Sequence, residues 1–340
     1  MSIVTIVGAG MMGSAMSFPL ADNGHEIRLV GTPYDRKVID RLRQDHFHPA
    51  LKVTLPESVK PCQIEELGNA LQGTDLLISG VPSFGVDWFA GQVLSQTPDS
   101  VPVLSLTKGL EDEPDGTLLP ISKAYFRRPA VASRKLSISS IGGPCISYEL
   151  CARRHTTVAL CGDNLDQLEH LRTLLQTSYY HIRTTTDCMG IECAVAMKNA
   201  YAVGVSLAIG ISEAHQNEDD THWYNPQAAL FGQAMSEMMR LIKLLGGQPQ
   251  SVIYAASDLY VTIIGGRNRQ LGLLLGQGLS FAEAQQRLAG VTLESISIIT
   301  RAARALRLRR DASINDFPLL RHLDEIINRQ AKLNIPWTEF

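Results

Sequence analysis

Ile3-Val4-Thr5-Ile6-Val7-Gly8-Ala9-Gly10-Met11-Met12-Gly13 decides the fold: an apolar strand runs into a GxGxxG turn, and a helical pattern follows from Ser14 to Asn23. A helix N-terminus after such a turn offers unpaired N–H groups and partial positive charge to a phosphate. Gly8 permits the tight turn, Gly10 lets the backbone approach the phosphates, and Gly13 lets helix and strand pack closely. A dinucleotide pyrophosphate is the ligand this pattern predicts.

Working outward, Glu26-Ile27-Arg28-Leu29-Val30 reads as a second strand. An Asp or Glu at its tip would bind a ribose 2′-hydroxyl. The tip here is Gly31-Thr32-Pro33, with Arg36 and Lys37 close behind, which tilts the expectation toward NADP over NAD. Further strands are expected at residues 75–80, 101–106 and 136–141, separated by helical stretches. Strands alternating with helices imply a doubly wound parallel sheet, with ligands beyond the strands' carboxyl ends. Three of those ends carry Val81-Pro82-Ser83, Thr107-Lys108-Gly109 and Gly142-Gly143-Pro144-Cys145. From Gly190 onward long helices dominate, so the chain divides into a Rossmann-type α/β domain over 1–187 and an all-α domain over 188–340.

Composition narrows the chemistry. With 340 residues, 45% hydrophobic and 19% charged, the chain is that of a soluble globular protein of two domains. A net charge of −3 gives no general attraction to nucleic acid or to an anionic membrane. Six cysteines form no CxxC pair or zinc-like array, so reduced thiols, a cytoplasmic setting and no metal are expected. The apolar stretch Ala200 to Ile211 is too short to span a bilayer and reads as a buried core helix. Ser212 to Asn225, with His215 and His222, reads as a polar loop. The run Arg301, Arg304, Arg307, Arg309 and Arg310 reads as a solvated helix face, and Trp88, Trp223 and Trp337 read as packing residues.

Two polar constellations lie in the helical half. Lys198-Asn199 sits among small and apolar residues, where burial disfavours a lysine's charged form and brings it toward use as an acid or base; Lys108, at a strand end, is the available second cation. Ser257-Asp258-Leu259-Tyr260-Val261-Thr262 leads into Gly265-Gly266-Arg267-Asn268-Arg269, a flexible glycine pair with a guanidinium fork suited to a phosphate.

Taken in order, GAGMMGSA, VPS, TKGL, GGPCISYEL, AMKNAYAVG, SDLYVTIIGGRNR and LGLLLGQGLS resemble the NAD(P)-dependent glycerol-3-phosphate dehydrogenases along nearly the whole chain. The resemblance implies interconversion of dihydroxyacetone phosphate and sn-glycerol 3-phosphate, a small phosphorylated three-carbon substrate, and a homodimer. It implies Lys198 as proton donor and acceptor, with Lys108 and Asp258 as catalytic partners. It assigns the substrate to Lys108, Gly143, Cys145, Asn199, Thr262, Arg267 and Asn268. It assigns the cofactor to Gly8, Gly10, Met11, Met12, Gly13, Thr32, Arg36, Pro82, Lys108, Ser147, Arg267 and Glu294.

Departures mark a divergent branch. Met11-Met12 replace a serine and an aromatic, Cys145-Ile146-Ser147 follow Gly143-Pro144, Glu294-Ser295 replace Glu-Gly, and Ala256-Ser257 replace glycines of an expected turn before Asp258. The alternatives are a related dehydrogenase with another phosphate- or phosphonate-bearing substrate, a ketopantoate- or 3-hydroxyacid-type enzyme, and a non-catalytic NAD(P) sensor.

Overall fold

The computed structural model describes residues 1–219 and 222–340. The chain forms two units, Met1–Lys108 with Ile121–Cys188, and Gly109–Pro120 with Met189–Phe340. A reading of two consecutive segments does not include the short excursion Gly109–Pro120.

In the first unit eight strands form one sheet: β1 (Ile3–Val7), β2 (Glu26–Val30), β3 (Val59–Cys62), β4 (Leu76–Ser79), β5 (Val103–Ser105), β6 (Ile138–Gly142), β7 (Thr156–Cys161) and β8 (Tyr180–Thr185). Their order is β8-β7-β6-β5-β4-β1-β2-β3. Every neighbouring pair is parallel except β6 and β7, where Ile141 lies opposite Leu160. Alternate side chains serve opposite faces: Leu76 and Ile78 enter one core with Val4, Ile6 and Leu29, while Leu77 enters another with Val7, Val30 and Val103. Cores on both faces are what a mostly parallel sheet requires. The strands β3, β7 and β8 were not expected. Val59-Lys60-Pro61-Cys62 is an edge strand whose proline masks the pattern, and Thr156-Thr157 and Thr184-Thr185 weaken the apolar signal of the other two.

Helices of the first unit used below are α1 (Met11–Ala15), α2 (Ser17–Asp22) and α3 (Arg36–Asp45). The second unit is built from α4 (Cys188–Asp219), α5 (Tyr224–Leu244), α6 (Val252–Gly265), α7 (Arg267–Gly276), α8 (Glu294–Leu308) and α9 (Pro318–Arg329), packed around one apolar core.

Helix α4 is far longer than the expected twelve-residue segment. Among the described residues one helix, Cys188–His215, is long and apolar enough to cross a membrane, and 89% of its most apolar window is buried in the folded chain. The expected loop Ser212 to Asn225 is mostly helical, because Glu213, Ala214, His215 and Gln216 are adequate helix formers on the polar continuation of α4. Asp220 and Thr221 of that stretch lie outside the described residues. His215 donates from Nδ1 to the Ile211 carbonyl at 2.9 Å and stacks on Trp223.

The arginine run is not simply solvated. Arg301 and Arg304 pair with Asp112 of the hairpin strand Leu110–Asp112, Arg307 pairs with the buried Asp324, and Arg309 pairs with Asp311. Asp112 and Asp324 lie far from their arginines in the sequence or on another helix, which the sequence alone cannot show.

Glu237, 1% exposed, joins α5 to the start of α9. Its two oxygens accept from Leu319 N–H (2.7 Å), Leu320 N–H (3.0 Å), Tyr201 O–H (2.8 Å) and Gln233 (2.8 Å). Burial raises its carboxyl pKa, against the opposing pull of those donors. Glu237→Ala strands two backbone donors at a helix start and two side-chain donors, so the expected loss is about 3 kcal/mol in chemical denaturation. The test is a denaturant midpoint that moves down at unchanged slope.

His322, 4% exposed, accepts the Asn334 N–H at Nε2 (3.3 Å), which requires a neutral ring. Burial lowers its pKa from 6.5; Glu325 pulls upward and Arg321 downward. The unfolded chain therefore binds this proton at higher pH than the folded chain. The stability involved is present above about pH 6.5 and is lost as pH falls. Melting temperature is expected to fall between pH 7.5 and 5.5, and His322→Gln is expected to remove part of that fall.

Candidate active site

The first unit carries a cradle at the ends of β1, β2 and β4. Gly8 has φ of +113°, and a Cβ there would lie 2.8 Å from the Gly80 backbone. A Cβ on Gly13 would lie 2.2 Å from the Gly8 carbonyl oxygen, whereas one on Gly10 would meet nothing within 4 Å. The turn is thus closed on the sheet side and open on the other. On the open side lies a cavity of about 650 Å³ lined by Gly8, Gly10, Thr32, Pro33, Tyr34, Asp35, Pro82, Phe84 and Trp88. Helix α1 starts at Met11 without a side-chain cap, which leaves its first N–H groups for a ligand. Glycine backbone, uncapped donors and aromatic walls fit a dinucleotide.

The strand-tip expectation needs correction. Asp35 folds back over the tip, and its Oδ2 accepts from Thr32 N–H (2.9 Å), Thr32 Oγ1–H (2.7 Å) and Ala9 N–H (3.2 Å). A carboxylate therefore stands at the end of β2, supplied from the residue before α3. Arg36 and Lys37 are exposed, Arg36 pairing with Glu65, and neither lines the cavity. Trp88, expected only to pack, is a cavity wall, as are Tyr34 and Phe84, which are 92% and 68% exposed. Large exposed aromatics beside a glycine turn are the signal that could have found them.

A second, smaller hollow in this unit is lined by Met12, Leu106, Lys108, Gly143, Cys145 and Tyr180. It brings together Lys108 after β5, Gly143 and Cys145 after β6, and Met12 of the first turn. Met11 is 47% exposed, and Ser147 is buried at the start of a short helix.

In the second unit Lys198, on α4, is 9% exposed. Its Nζ donates to Asp258 Oδ1 (2.9 Å) and Thr262 Oγ1 (2.8 Å). Asp258 and Thr262 share one face of α6 through i,i+4 spacing. The expected turn at 256–259 is helix interior, where Ala256 and Ser257 need no glycine-like backbone. The Thr262 hydroxyl also donates to the Asp258 carbonyl at 2.6 Å, which fixes its lone pairs toward Lys198. The lysine set among small and apolar residues in the sequence is paired with the Asp258 carboxylate.

Beside it runs a closed ring. Ser295 N–H donates to Asn268 Oδ1 (3.4 Å), Asn268 Nδ2 to Asn199 Oδ1 (3.0 Å), and Asn199 Nδ2 to Glu294 Oε2 (3.3 Å). The backbone donor of Ser295 sets the direction of both amides, so Glu294 Oε2 is the acceptor at the end of the run. Four of the residues singled out in sequence, Asn199, Asn268, Glu294 and Ser295, thus meet, although they come from three helices. Arg267 is exposed at the first position of α7, whose cap, Gly266, has no side chain. Among the described residues no group of three or more His, Cys, Asp or Glu side chains could hold a metal.

Residues 3–167 match the family profile for the N-terminus of NAD-dependent glycerol-3-phosphate dehydrogenase, and residues 187–336 match that for its C-terminus. An NADP(+)-dependent glycerol-3-phosphate dehydrogenase of Archaeoglobus fulgidus is 34% identical over 289 residues, covering 84% of this chain and 83% of that protein. A glycerol-3-phosphate dehydrogenase [NAD(P)+] of Bacillus pumilus is 29% identical, covering 87% and 82%. The structure of glycerol-3-phosphate dehydrogenase from Coxiella burnetii superposes with a TM-score of 0.80 at 24% identity, covering 97% of this chain and 96% of that one. A ketopantoate reductase family structure from Ralstonia eutropha shares the fold, with a TM-score of 0.58 at 15% identity over 96% of this chain and 97% of that one. With both halves matched, and with the cradle and the buried lysine in place, this chain belongs to the NAD-dependent glycerol-3-phosphate dehydrogenase family.

Proposed function

We propose that the chain interconverts dihydroxyacetone phosphate and sn-glycerol 3-phosphate with NAD(P), and that Lys198 moves the proton. The observation that carries this reading is the buried Lys198 ammonium held between Asp258 and Thr262 in a chain of this family. When bound, the nicotinamide supplies or accepts the hydride at C2. Lys198 protonates the alkoxide that develops at C2 and serves as neutral base in reverse. Asp258 and Thr262 hold its Nζ in one place, so no reorientation is needed at the moment of transfer. Arg267 and Asn268 hold the phosphate, converting remote binding energy into alignment of C2. Asn199 is fixed beside Lys198 by the ring to Glu294.

NADP is favoured over NAD. The Archaeoglobus fulgidus relative bears an NADP(+) name. A cytoplasmic homodimer is the setting the family resemblance implies; the small net negative charge gives no general attraction to nucleic acid, and the apolar helix is buried in the folded chain.

The test is a rate comparison of NADPH and NADH oxidation with dihydroxyacetone phosphate, dihydroxyacetone and ketopantoate. Turnover is expected with the phosphorylated ketone, with kcat/KM at least about 100-fold lower for the others, since the phosphate clamp is left unmatched. Preference for ketopantoate would reassign the enzyme. Tight nucleotide binding without turnover would leave a sensor.

A further inference from the structure

We propose that Asp35 and His48 are positioning residues for the dinucleotide: between them they grip both peptides flanking Ala9, the residue between the first two glycines of the turn. Asp35 Oδ2 accepts the Ala9 N–H, and His48 Nε2 bonds the Ala9 carbonyl at 3.0 Å. The direction of the second bond is fixed, because Leu51 N–H donates into His48 Nδ1 at 3.1 Å and so leaves the proton on Nε2. His48 and Ala9 are each 1% exposed, so water does not compete. Helix α3 spans the two grips: Asp35 is its N-cap residue, and His48 lies three residues past its last residue, Asp45, after a left-handed His46.

The consequence follows from peptide planarity. With the Ala9 carbonyl turned to His48, the Gly10 N–H of the same trans peptide points the opposite way. Gly10 lines the open cavity, so its N–H is presented to a phosphate and not lost to a local bond. Asp35 acts on the turn and on Thr32 together, tying the phosphate loop to the ribose end of the same cavity. Because its bridging oxygen already holds three donors, its effect falls on NADPH and NADH alike.

This inference rests on the cofactor site proposed above, and nucleotide binding tests it without turnover. Fluorescence titration of NADPH and NADH is compared for wild type, Asp35→Ala, Asp35→Asn, His48→Leu and His48→Gln, with melting curves to count folded protein. In Asp35→Ala and His48→Leu the Kd for both nucleotides is expected to rise about tenfold, the worth of one lost hydrogen bond to a constrained group. At saturating cofactor, kcat and the KM for dihydroxyacetone phosphate stay within about twofold of wild type. Asn at 35 and Gln at 48, which keep an acceptor and a donor respectively, recover most of the affinity. Should His48→Leu not fold, the Asp35 pair decides alone. Unchanged Kd, a fall in kcat with Kd intact, or a loss confined to one of the two nucleotides overturns the inference. Wild type that binds neither nucleotide overturns the site reading, and this inference with it.

Discussion

Lys198→Ala is expected to lower kcat about 10³-fold, within the range for removal of a proton-transfer group, while the Kd for NADPH stays within about twofold. The effect is large because the Lys198 ammonium is the group assigned to protonate C2, whereas Asp258 accepts from it and the Thr262 hydroxyl donates to the Asp258 carbonyl. The variant removes the Lys198 ammonium from the buried Asp258, so some stability is lost as well. A melting curve separates that loss from the catalytic one. Lys198→Arg keeps the charge but gives a group that stays protonated, so it is expected to retain fold while kcat remains low. Near-wild-type kcat in Lys198→Ala would remove the lysine from the chemistry.

Gly13→Ala is expected to abolish nucleotide binding and to cost about 3 kcal/mol of stability, because backbone meets the new methyl group. The Gly8 carbonyl 2.2 Å away cannot rotate aside without undoing the turn. Gly10→Ala makes the contrast. Its methyl enters open space, so the fold is expected to stand, yet that space belongs to the cavity and Kd should rise at least about tenfold. Equal behaviour of the two variants, in either affinity or melting temperature, would contradict the cradle as described.

The glycine turn, β1, β2, β4, β5 and β6 were legible because each is a short apolar run ending at glycine, proline or a lysine-glycine step. Lys198 and Asn199 were legible as polar residues out of place in an apolar helix, whereas Asp258, Thr262 and Asn268 were singled out through the resemblance to the family. The structure shows why: each is bonded to another of the set or to Glu294 or Ser295. What escaped depends on chain reversal. Asp35 reaches the β2 tip only because the chain turns at Thr32–Asp35, where Asp35 N–H donates to the Thr32 carbonyl. His48 contacts Ala9 from 39 residues away. The hairpin Gly109–Pro120 joins the second unit through Asp112 and the apolar Leu110 and Leu118, a pairing that no local period reveals.

The most direct test of the assigned reaction follows the hydride itself. Purified protein is given dihydroxyacetone phosphate with NADPH dideuterated at C4 of the nicotinamide, and the product is analysed by mass spectrometry and NMR. The account predicts sn-glycerol 3-phosphate carrying one deuterium, at C2, formed by wild type and about 10³-fold more slowly by Lys198→Ala. Product without deuterium at C2, or no product while NADPH binds tightly, would contradict it.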